Sequence, residues 1–179
     1  MYILANNFQE KNINLIRNLA PKVRTVNIVT KEIEKYKIIE EMLQESGVPI
    51  VITNNKKKSL KKSKIIINLD FSQEELSEYI IFRNAVIINL TQEKLTKLKG
   101  FCGITIRDID LNLNNEQIEF IKQNYLENFR QIEIYESLPA LIRTIDNPEV
   151  SKLYGNNGEI SNKELENIKA NFCEFSVKN

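Results

Sequence analysis

Six short aliphatic runs recur along the first part of the chain, and the segments between them show the spacing of amphipathic helices. The runs are Tyr2–Ala5, Thr25–Val29, Pro49–Thr53, Ile65–Leu69, Val86–Leu90 and Phe101–Ile106. Their β-branched residues favour strands, and their nearly continuous apolar character is typical of strands covered on both faces. Strands that alternate with helices form parallel βαβ units. The pattern therefore predicts an α/β fold with a doubly wound, mostly parallel six-stranded sheet in the order 3-2-1-4-5-6.

The helical segments between the runs are defined by apolar residues about one turn apart. They lie around Ile13–Leu19, Ile33–Leu43, Ser72–Tyr79 and Thr91–Leu98. Ser72 and Glu75 form the pattern of a capping box, which predicts where the third of these helices begins. Farther along, one apolar stripe predicts a long helix from Asn115 to Leu138 that Pro139 ends.

Three segments within Thr25–Leu90 resemble strands of a known nucleotide-binding domain. They read Val26-Asn27-Ile28-Val29-Thr30, Gly47-Val48-Pro49-Ile50-Val51-Ile52-Thr53 and Leu60-Lys61-Lys62-Ser63-Lys64-Ile65-Ile66-Ile67-Asn68. This part of the chain resembles the second to fifth strands of the Rossmann-type NAD(P) domain of shikimate dehydrogenase, methylenetetrahydrofolate dehydrogenase and the glutamyl-tRNA reductase group. The resemblance implies a Rossmann-like domain over residues 1–112. We expect residues 113–179 to form the long helix and a C-terminal extension that packs on the sheet or on a second subunit.

The turn after the first run lacks the glycines that this resemblance requires. It reads Ala5-Asn6-Asn7-Phe8-Gln9, where dinucleotide-binding domains have Gly-x-Gly-x-x-Gly. Side chains at Asn6, Asn7 and Phe8 would collide with a pyrophosphate and keep it away from the main chain. Amides at the start of the following helix still suit an anion, so these three residues are also the candidate cofactor-binding turn. The sequence predicts that standard dinucleotide binding is lost.

The second and fourth runs end in the other candidate cofactor-binding residues. The second run ends in Thr30-Lys31 instead of the acid that grips the ribose of NAD. A hydroxyl and an ammonium group suit the 2′-phosphate of NADP, but the favoured interpretation is that Thr30 caps the next helix and Lys31 is solvated. Asn68 ends the fourth run, and the carboxyl ends of parallel strands share one crevice. The predicted cofactor is accordingly none, or NADP.

Missing residue types exclude several classes of enzyme. The chain has no histidine and only two cysteines, Cys102 and Cys173. The absence of histidine excludes Ser-His-Asp and Cys-His nucleophiles, zinc sites that need histidine, and dehydrogenases with a histidine acid–base. Two cysteines are too few for a zinc site with four cysteines. The dehydrogenases named above also have a substrate domain before the nucleotide domain, whereas this chain begins on its first strand. We therefore expect no counterpart of their catalytic residues, and whether the protein is an enzyme stays open.

Acidic residues near the ends of the predicted strands suggest one cation site. Asp108 and Asp110 are two apart and point the same way in an extended segment, and with Asp70 they suit Mg²⁺ or acid–base chemistry. Solvated acids at strand ends are the favoured interpretation, so no metal is predicted.

A second cation motif is only half present. The segment from Leu153 to Glu164 matches the latter part of an EF-hand loop, with Gly158 at the turn position. Leu153 and Gly155 replace the first acidic ligands, which would weaken Ca²⁺ binding severely. A tight turn or hairpin around Asn156-Asn157-Gly158 is the favoured interpretation.

Charge and hydropathy narrow the expected partners. The net charge of +1 gives no overall attraction to nucleic acid, and the run Lys56–Lys64, with six lysines, lacks aromatic residues that stack on bases. No apolar run approaches the roughly 20 residues that cross a bilayer, and no signal peptide is evident. Two cysteines indicate a reducing compartment, so we expect a cytoplasmic protein without membrane or nucleic-acid partners. Richness in Ile, Lys, Asn and Glu suggests a bacterial source.

The sequence favours a stand-alone Rossmann-like protein that acts as a non-catalytic interaction or accessory subunit, through self-association or a protein partner. The glycine-free turn at Asn6–Phe8 is the main reason. One alternative is an NADP-dependent reductase, or its cofactor-binding subunit, with Thr30 and Lys31 on the phosphate. Another is a sensor of a small nucleotide or anion that uses the same crevice.

Overall fold

The computed structural model describes residues 1–43, 47–112, 114–116, 119 and 149–166, and these form an α/β fold around one mixed sheet. The strands are β1 (Tyr2–Leu4), β2 (Val26–Val29), β3 (Ile50–Thr53), β4 (Ile65–Asn68), β5 (Val86–Asn89), β6 (Ile104–Asn112), β7 (Glu149–Gly155) and β8 (Gly158–Glu159). The helices with described bounds are α1 (Glu10–Leu19), α2 (Ile33–Met42) and α3 (Gln73–Ser77), and a 3₁₀ turn covers Ala20–Lys22.

Within the described residues, the sheet has eight strands in the order β3-β2-β1-β4-β5-β6-β7-β8. The first six pair in parallel, and β7 and β8 are antiparallel additions beyond β6. The prediction of six strands is therefore wrong in strand count and in the full order. Leu4 of β1 lies in register with Val29 of β2 and with Asn68 of β4, so the turns that follow these three strands meet at one edge.

The strand β6 is longer than predicted, and its additional residues pair with β7, which the sequence did not predict. The run Phe101–Ile106 predicts a short sixth strand, whereas β6 begins at Ile104 and continues to Asn112. The second half of β6 pairs with β7, with two irregularities that shift the register. Polar and apolar residues are mixed along this half, so it does not stand out as a continuous apolar run.

The parallel strands β1, β2, β4 and β5 are covered on both faces, as their apolar sequences predict, whereas Val51 of the edge strand β3 is exposed. One core contains Ile3, Ile28 and Ile67 from the strands, together with residues of α1 and α2. The opposite core contains the neighbouring strand residues Leu4 and Ile66, together with residues of α3 and of the segment before β4. Successive side chains of a strand point to opposite faces, so continuous apolar runs are needed to fill both cores.

Local sequence signals place α1 and α3. The helix predicted around Ile13–Leu19 is confirmed as α1, and Pro21 follows it in the 3₁₀ turn, where its fixed backbone angle is accommodated. The capping box predicted at Ser72 and Glu75 is also confirmed, because each side chain bonds the other residue's backbone amide. The helix α3 ends at Ser77, slightly earlier than predicted.

The segment predicted to be a helical turn around Thr91–Leu98 is not helical. The side chain of Gln73 accepts hydrogen bonds from the backbone amides of Thr96 (2.7 Å) and Lys97 (2.9 Å), which holds the segment in an irregular path. Leu95 is still buried in the core that contains α3. A tertiary hydrogen bond has therefore overridden a weak local helix signal.

The predicted long helix lies mostly outside the described residues. Residues 115, 116 and 119 are helical, and residues 149–159 from the same C-terminal part of the chain form β7 and β8 in the sheet. Residues 162–166 are helical as well. None of the described helices has the length and apolar character needed to cross a bilayer.

The hairpin prediction near the C-terminus is confirmed. Tyr154 and Gly155 of β7 pair with Glu159 and Gly158 of β8, which leaves a two-residue turn between the strands. Gly158 has φ +119°, a backbone conformation that residues other than glycine rarely adopt. This glycine therefore serves the hairpin.

Candidate functional site

The candidate site lies at the edge where the chain leaves β1, β2 and β4. In open α/β sheets, ligands bind beyond the carboxyl ends of the strands where the strand order reverses, which here is between β1 and β4. The turn Asn6–Phe8 follows β1, Thr30-Lys31 follows β2, and Asp70 follows β4. The structure brings these segments together through direct hydrogen bonds.

Asp70 holds the backbone of the turn after β1. Its Oδ1 accepts a hydrogen bond from the backbone amide of Asn6 at 2.7 Å, and its Oδ2 accepts one from the amide of Asn7, also at 2.7 Å. Successive amides that converge on one negative group form an anion-binding concavity. The anion in this concavity is a carboxylate of the chain itself.

Burial makes this carboxylate costly to ionise. Desolvation is the largest influence and raises the pKa of Asp70 above its ordinary value, although the amides of Asn6 and Asn7 oppose the rise. The nearby charge of Glu75 adds to the rise. Asp70 is thus bound by two amides at a position where a negative charge is partly removed from water.

The side chain of Asn6 connects β2 to α3. Its Oδ1 accepts a hydrogen bond from the backbone amide of Lys31 at 2.9 Å, and its Nδ2 donates to Oε1 of Glu75 at 3.1 Å. The ammonium of Lys31 lies 2.5 Å from the same carboxylate oxygen. Asn6 therefore fills its position with two specific contacts that a glycine could not make.

Glu75 joins the network to the first turn of α3. Burial raises the pKa of Glu75, but the hydrogen bonds from Lys31 and Ser72 outweigh that effect and the net shift is downward. The Glu75 carboxylate is therefore held in its ionised form. The same hydrogen bond to Glu75 raises the pKa of Lys31.

Thr30 and Lys31, the candidates for a 2′-phosphate, both have partners within the chain. Thr30 is fully buried, and its hydroxyl accepts a hydrogen bond from the amide of Glu32 at 3.0 Å, just before α2 begins. This is close to the predicted capping role, although Glu32 rather than Thr30 occupies the N-cap position. Lys31 is half-exposed and paired with Glu75.

Phe8 is anchored on α2. Its ring meets the ring of Tyr36 edge to face, with centroids 5.2 Å apart. Tyr36 is fully buried. Its hydroxyl donates a hydrogen bond to the carbonyl oxygen of Asn7 at 2.9 Å. The side-chain amide of Asn12 donates a hydrogen bond to the same carbonyl oxygen at 2.8 Å. These contacts fix the turn and leave Phe8 packed against the core.

Asn68 faces a different network. It is fully buried, and its side chain bonds both the amide and the carbonyl of Phe71 at 2.9 Å. Its Nδ2 also donates to Oδ1 of Asn89 at 2.8 Å, and Asn89 donates onward to the carbonyl of Glu93. Buried amides need such partners, and these bonds engage the Asn68 side chain with the loop after β4 and with β5.

Sequence reasoning missed the roles of Asp70, Glu75, Asn12 and Tyr36 in this site. The sequence pattern indicates only a metal ligand or a solvated acid at Asp70, and only a helix cap at Glu75. A usable signal existed for Asp70, because β4 neighbours β1 in the predicted strand order. An acid two residues beyond the end of β4 would then lie beside the turn that follows β1.

The structure does not support the alternative in which Asp70, Asp108 and Asp110 form a cation site. Asp108 and Asp110 lie inside β6 rather than at the end of a strand, because β6 continues past Ile106. Asp110 accepts a hydrogen bond from the Tyr154 hydroxyl at 2.7 Å. In the described ranges, no group of three or more His, Cys, Asp or Glu residues is arranged to hold a metal ion.

A separate cleft of about 340 Å³ lies between the start of β6 and the β7–β8 turn. Asn156 donates from Nδ2 to the carbonyl of Leu95 at 2.9 Å, while its Oδ1 is buried without a partner among the described atoms. The nearby acids are engaged elsewhere, since Glu159 pairs with Lys152 and Glu164 accepts from Ser161. The described residues that line this cleft therefore present no convergent set of charged groups.

Comparison with known proteins identifies no relative of this chain. No protein-family model matches it, and neither a curated protein nor a solved structure matches it. The resemblance to Rossmann-type NAD(P) domains therefore stays a prediction from the sequence. The function has to be argued from the geometry of the site.

Proposed function

We propose that this protein is a Rossmann-like domain that has given up standard dinucleotide binding and acts as a non-catalytic interaction or accessory subunit. The observation that supports this most directly is the carboxylate of Asp70 on the amides of Asn6 and Asn7. In dinucleotide-binding domains, the equivalent amides are open and bind the pyrophosphate. In this chain they are satisfied by an internal anion.

Electrostatics oppose a pyrophosphate at this position. Two like charges about 4 Å apart near a protein surface repel by roughly 4 kcal/mol, and a pyrophosphate bound over the turn would approach Asp70 closely. Asn6 and Phe8 add steric obstacles that are held in place by Glu75 and Tyr36. Binding would therefore require the turn to be rebuilt.

A sensor of a small anion or nucleotide is the second candidate. The amides of Asn6 and Asn7 already surround a negative group, and burial raises the pKa of the Asp70 that occupies them. A free phosphate that displaced Asp70 would release this carboxylate to water. The NADP-dependent alternative is less well supported, because Lys31 would have to leave Glu75 to reach a 2′-phosphate.

The first test measures thermal unfolding of the full chain with NADPH, NADH or inorganic phosphate. We expect none of the three to stabilise the protein at millimolar concentration. A ligand at a hundred times its Kd stabilises the folded state by about 2.7 kcal/mol, so binding would be readily detected. Stabilisation by NADPH would overturn the proposal, and stabilisation by phosphate alone would favour the sensor.

A matched pair of variants tests the reason for the loss. Asp70→Ala frees the two amides, so phosphate should now raise the melting temperature of this variant. Glu74→Ala removes the same charge from an exposed residue of α3 that does not contact the turn, and it should respond to phosphate as the native chain does. Equal behaviour of the two variants would show that Asp70 is not what closes the site.

A further inference from the structure

The β3 edge of the sheet is open in the part of the chain that the structure describes. Within those residues β3 pairs with β2 alone, so its outer N–H and C=O groups have no partner strand there. Ile50, Val51, Ile52 and Thr53 carry no charge, and the one proline nearby, Pro49, precedes the strand. Proteins normally protect such an edge with charges, proline or a very short strand.

The opposite edge shows that protection. The last described strand, β8, has two residues and pairs with only Tyr154 and Gly155 of β7. The rest of β7 carries charge at this edge, since it contains Glu149 and Lys152, and Lys152 forms an ion pair with Glu159. A short, charged strand is a poor template for pairing with another chain. Within the described residues, the contrast marks β3 as the uncharged edge of the sheet.

Exposed apolar side chains concentrate around β3. The described residues include five large apolar side chains that are well exposed, namely Ile38, Met42, Val51, Ile80 and Val150. Val51 belongs to β3, Ile38 and Met42 lie one turn apart on α2, which contacts β3, and the amide of Ile80 bonds the carbonyl of Lys56 just beyond β3. These side chains border the β3 edge on both faces of the sheet, because Ile50 and Ile52 pack on the α2 side and Val51, between them, points to the opposite side. Apolar exposure along an open edge favours association.

The charges at the two ends of β3 are of opposite sign. Glu40 and Glu41 lie in the last turn of α2, on the approach to the start of β3, and both are exposed. Lys57 and Lys58 are exposed shortly after the end of β3. If two β3 strands paired antiparallel, the acidic end of each would lie near the basic end of the other.

We infer that two copies of this chain associate through their β3 edges about a two-fold axis, forming a continuous antiparallel pairing across the interface. A two-fold axis places the same patch on both subunits, and antiparallel pairing is the geometry that this symmetry allows for one strand. The inference rests on the proposed interaction role and names its partner, a second copy of the chain. Backbone hydrogen bonds, the exposed apolar side chains that border the edge and the opposite charges act together in this interface.

The experiment is sedimentation equilibrium of the full chain. We expect the native chain to show a mass near twice 20.9 kDa at micromolar concentration. Val51→Lys puts a charge in the middle of the paired edge and should raise the dimer Kd by about a hundredfold or more. Val150→Lys changes a valine of similar exposure on β7 and should leave the dimer intact. Far-UV circular dichroism and melting check that both variants fold.

A charge exchange tests the orientation of the two strands. The pair Lys57→Glu and Lys58→Glu should weaken the dimer by about tenfold, because opposite charges across the interface become like charges. Combining it with Glu40→Lys and Glu41→Lys should restore the native Kd. Failure of this rescue, a monomeric native chain, or equal dissociation by Val51→Lys and Val150→Lys would each overturn the inference.

The two proposals fail in distinguishable ways. A chain that binds NADPH and still dimerises through β3 would contradict the proposed function alone. A monomer that shows no response to NADPH would contradict the dimer alone and would direct the search toward a different protein partner.

Discussion

Asp70 takes the place of a bound anion at the turn after β1. Its two oxygens meet the amides of Asn6 and Asn7, and the carbonyl of Asn7 is in turn held by Tyr36 and Asn12. One side chain thereby satisfies two backbone N–H groups of this turn. The residue-level consequence is a turn that is complete without a ligand.

The raised pKa of Asp70 predicts a pH dependence of stability. The folded state holds the Asp70 proton more tightly than the unfolded state, whose pKa is near 3.8, so this residue's contribution to stability is largest at low pH. The contribution is lost as pH rises from 3.8 through the higher folded-state pKa. The free energy of unfolding of the native chain, minus that of Asp70→Asn, should therefore decrease across this range.

Denaturant titrations at a series of pH values measure this difference. Glu74→Gln is the matched control, since Glu74 is exposed on the same helix and has no contact with the turn, and its difference from the native chain should stay flat. A difference for Asp70→Asn that grows as pH rises would mean that the amides, rather than burial, dominate the ionisation of Asp70.

At the scale of elements, α3 is a short helix whose beginning supports the site. Its capping residue Ser72 and its third residue Glu75 bond each other's backbone amides, and Glu75 also holds Lys31 and Asn6. The position of α3 and the geometry of the turn after β1 are therefore coupled. A helix of this length depends strongly on its cap, because few of its backbone hydrogen bonds are internal.

Ser72→Ala should destabilise the protein by about 1 kcal/mol, since it removes the acceptor for the Glu75 amide. Ser77→Ala is the control, because Ser77 is exposed at the end of the same helix and alanine favours helix there. Urea denaturation of the two variants measures the comparison. Equal stabilities would show that the capping box contributes little to α3.

At the scale of the whole molecule, the sheet has two unlike edges. The β8 edge is short and charged, whereas the β3 edge is uncharged, apolar around its margins and flanked by acids at one end and lysines at the other. The site lies at the ends of β1 and β4 in the interior of the sheet, and β2 separates β1 from β3. Association through β3 would therefore leave the turn at Asn6 unobstructed.

The dimer should weaken as salt concentration rises. Electrostatic attraction between exposed charges is screened over about 10 Å at 0.1 M salt and about 3 Å at 1 M, so the contribution of Glu40, Glu41, Lys57 and Lys58 should fade over that range. Sedimentation at several NaCl concentrations gives the Kd. The chain with all four residues changed to glutamine should form a weaker dimer, and its Kd should depend little on salt concentration. If the Kd of this variant depended on salt as steeply as that of the native chain, the charged contacts would lie elsewhere.

Local sequence patterns were sufficient to predict much of the fold. The runs that became β1 to β5 are short, apolar and rich in β-branched residues, and Ser72 with Glu75 marks the start of α3. Each of these signals acts between residues close together in the chain, so these strands and this helix start can be predicted from the sequence alone. The glycine-free turn at Asn6–Phe8 is a local feature of the same kind.

Only the tertiary structure decided which distant groups meet. Asp70 reaches the amides of Asn6 and Asn7 across more than sixty residues of chain, and Gln73 keeps Thr96 out of a helix in the same way. The pairing of β6 with β7 likewise depends on hydrogen bonds between segments far apart in the sequence. Such contacts form where the packed sheet leaves polar groups in need of partners, and no periodicity within either segment contains that information.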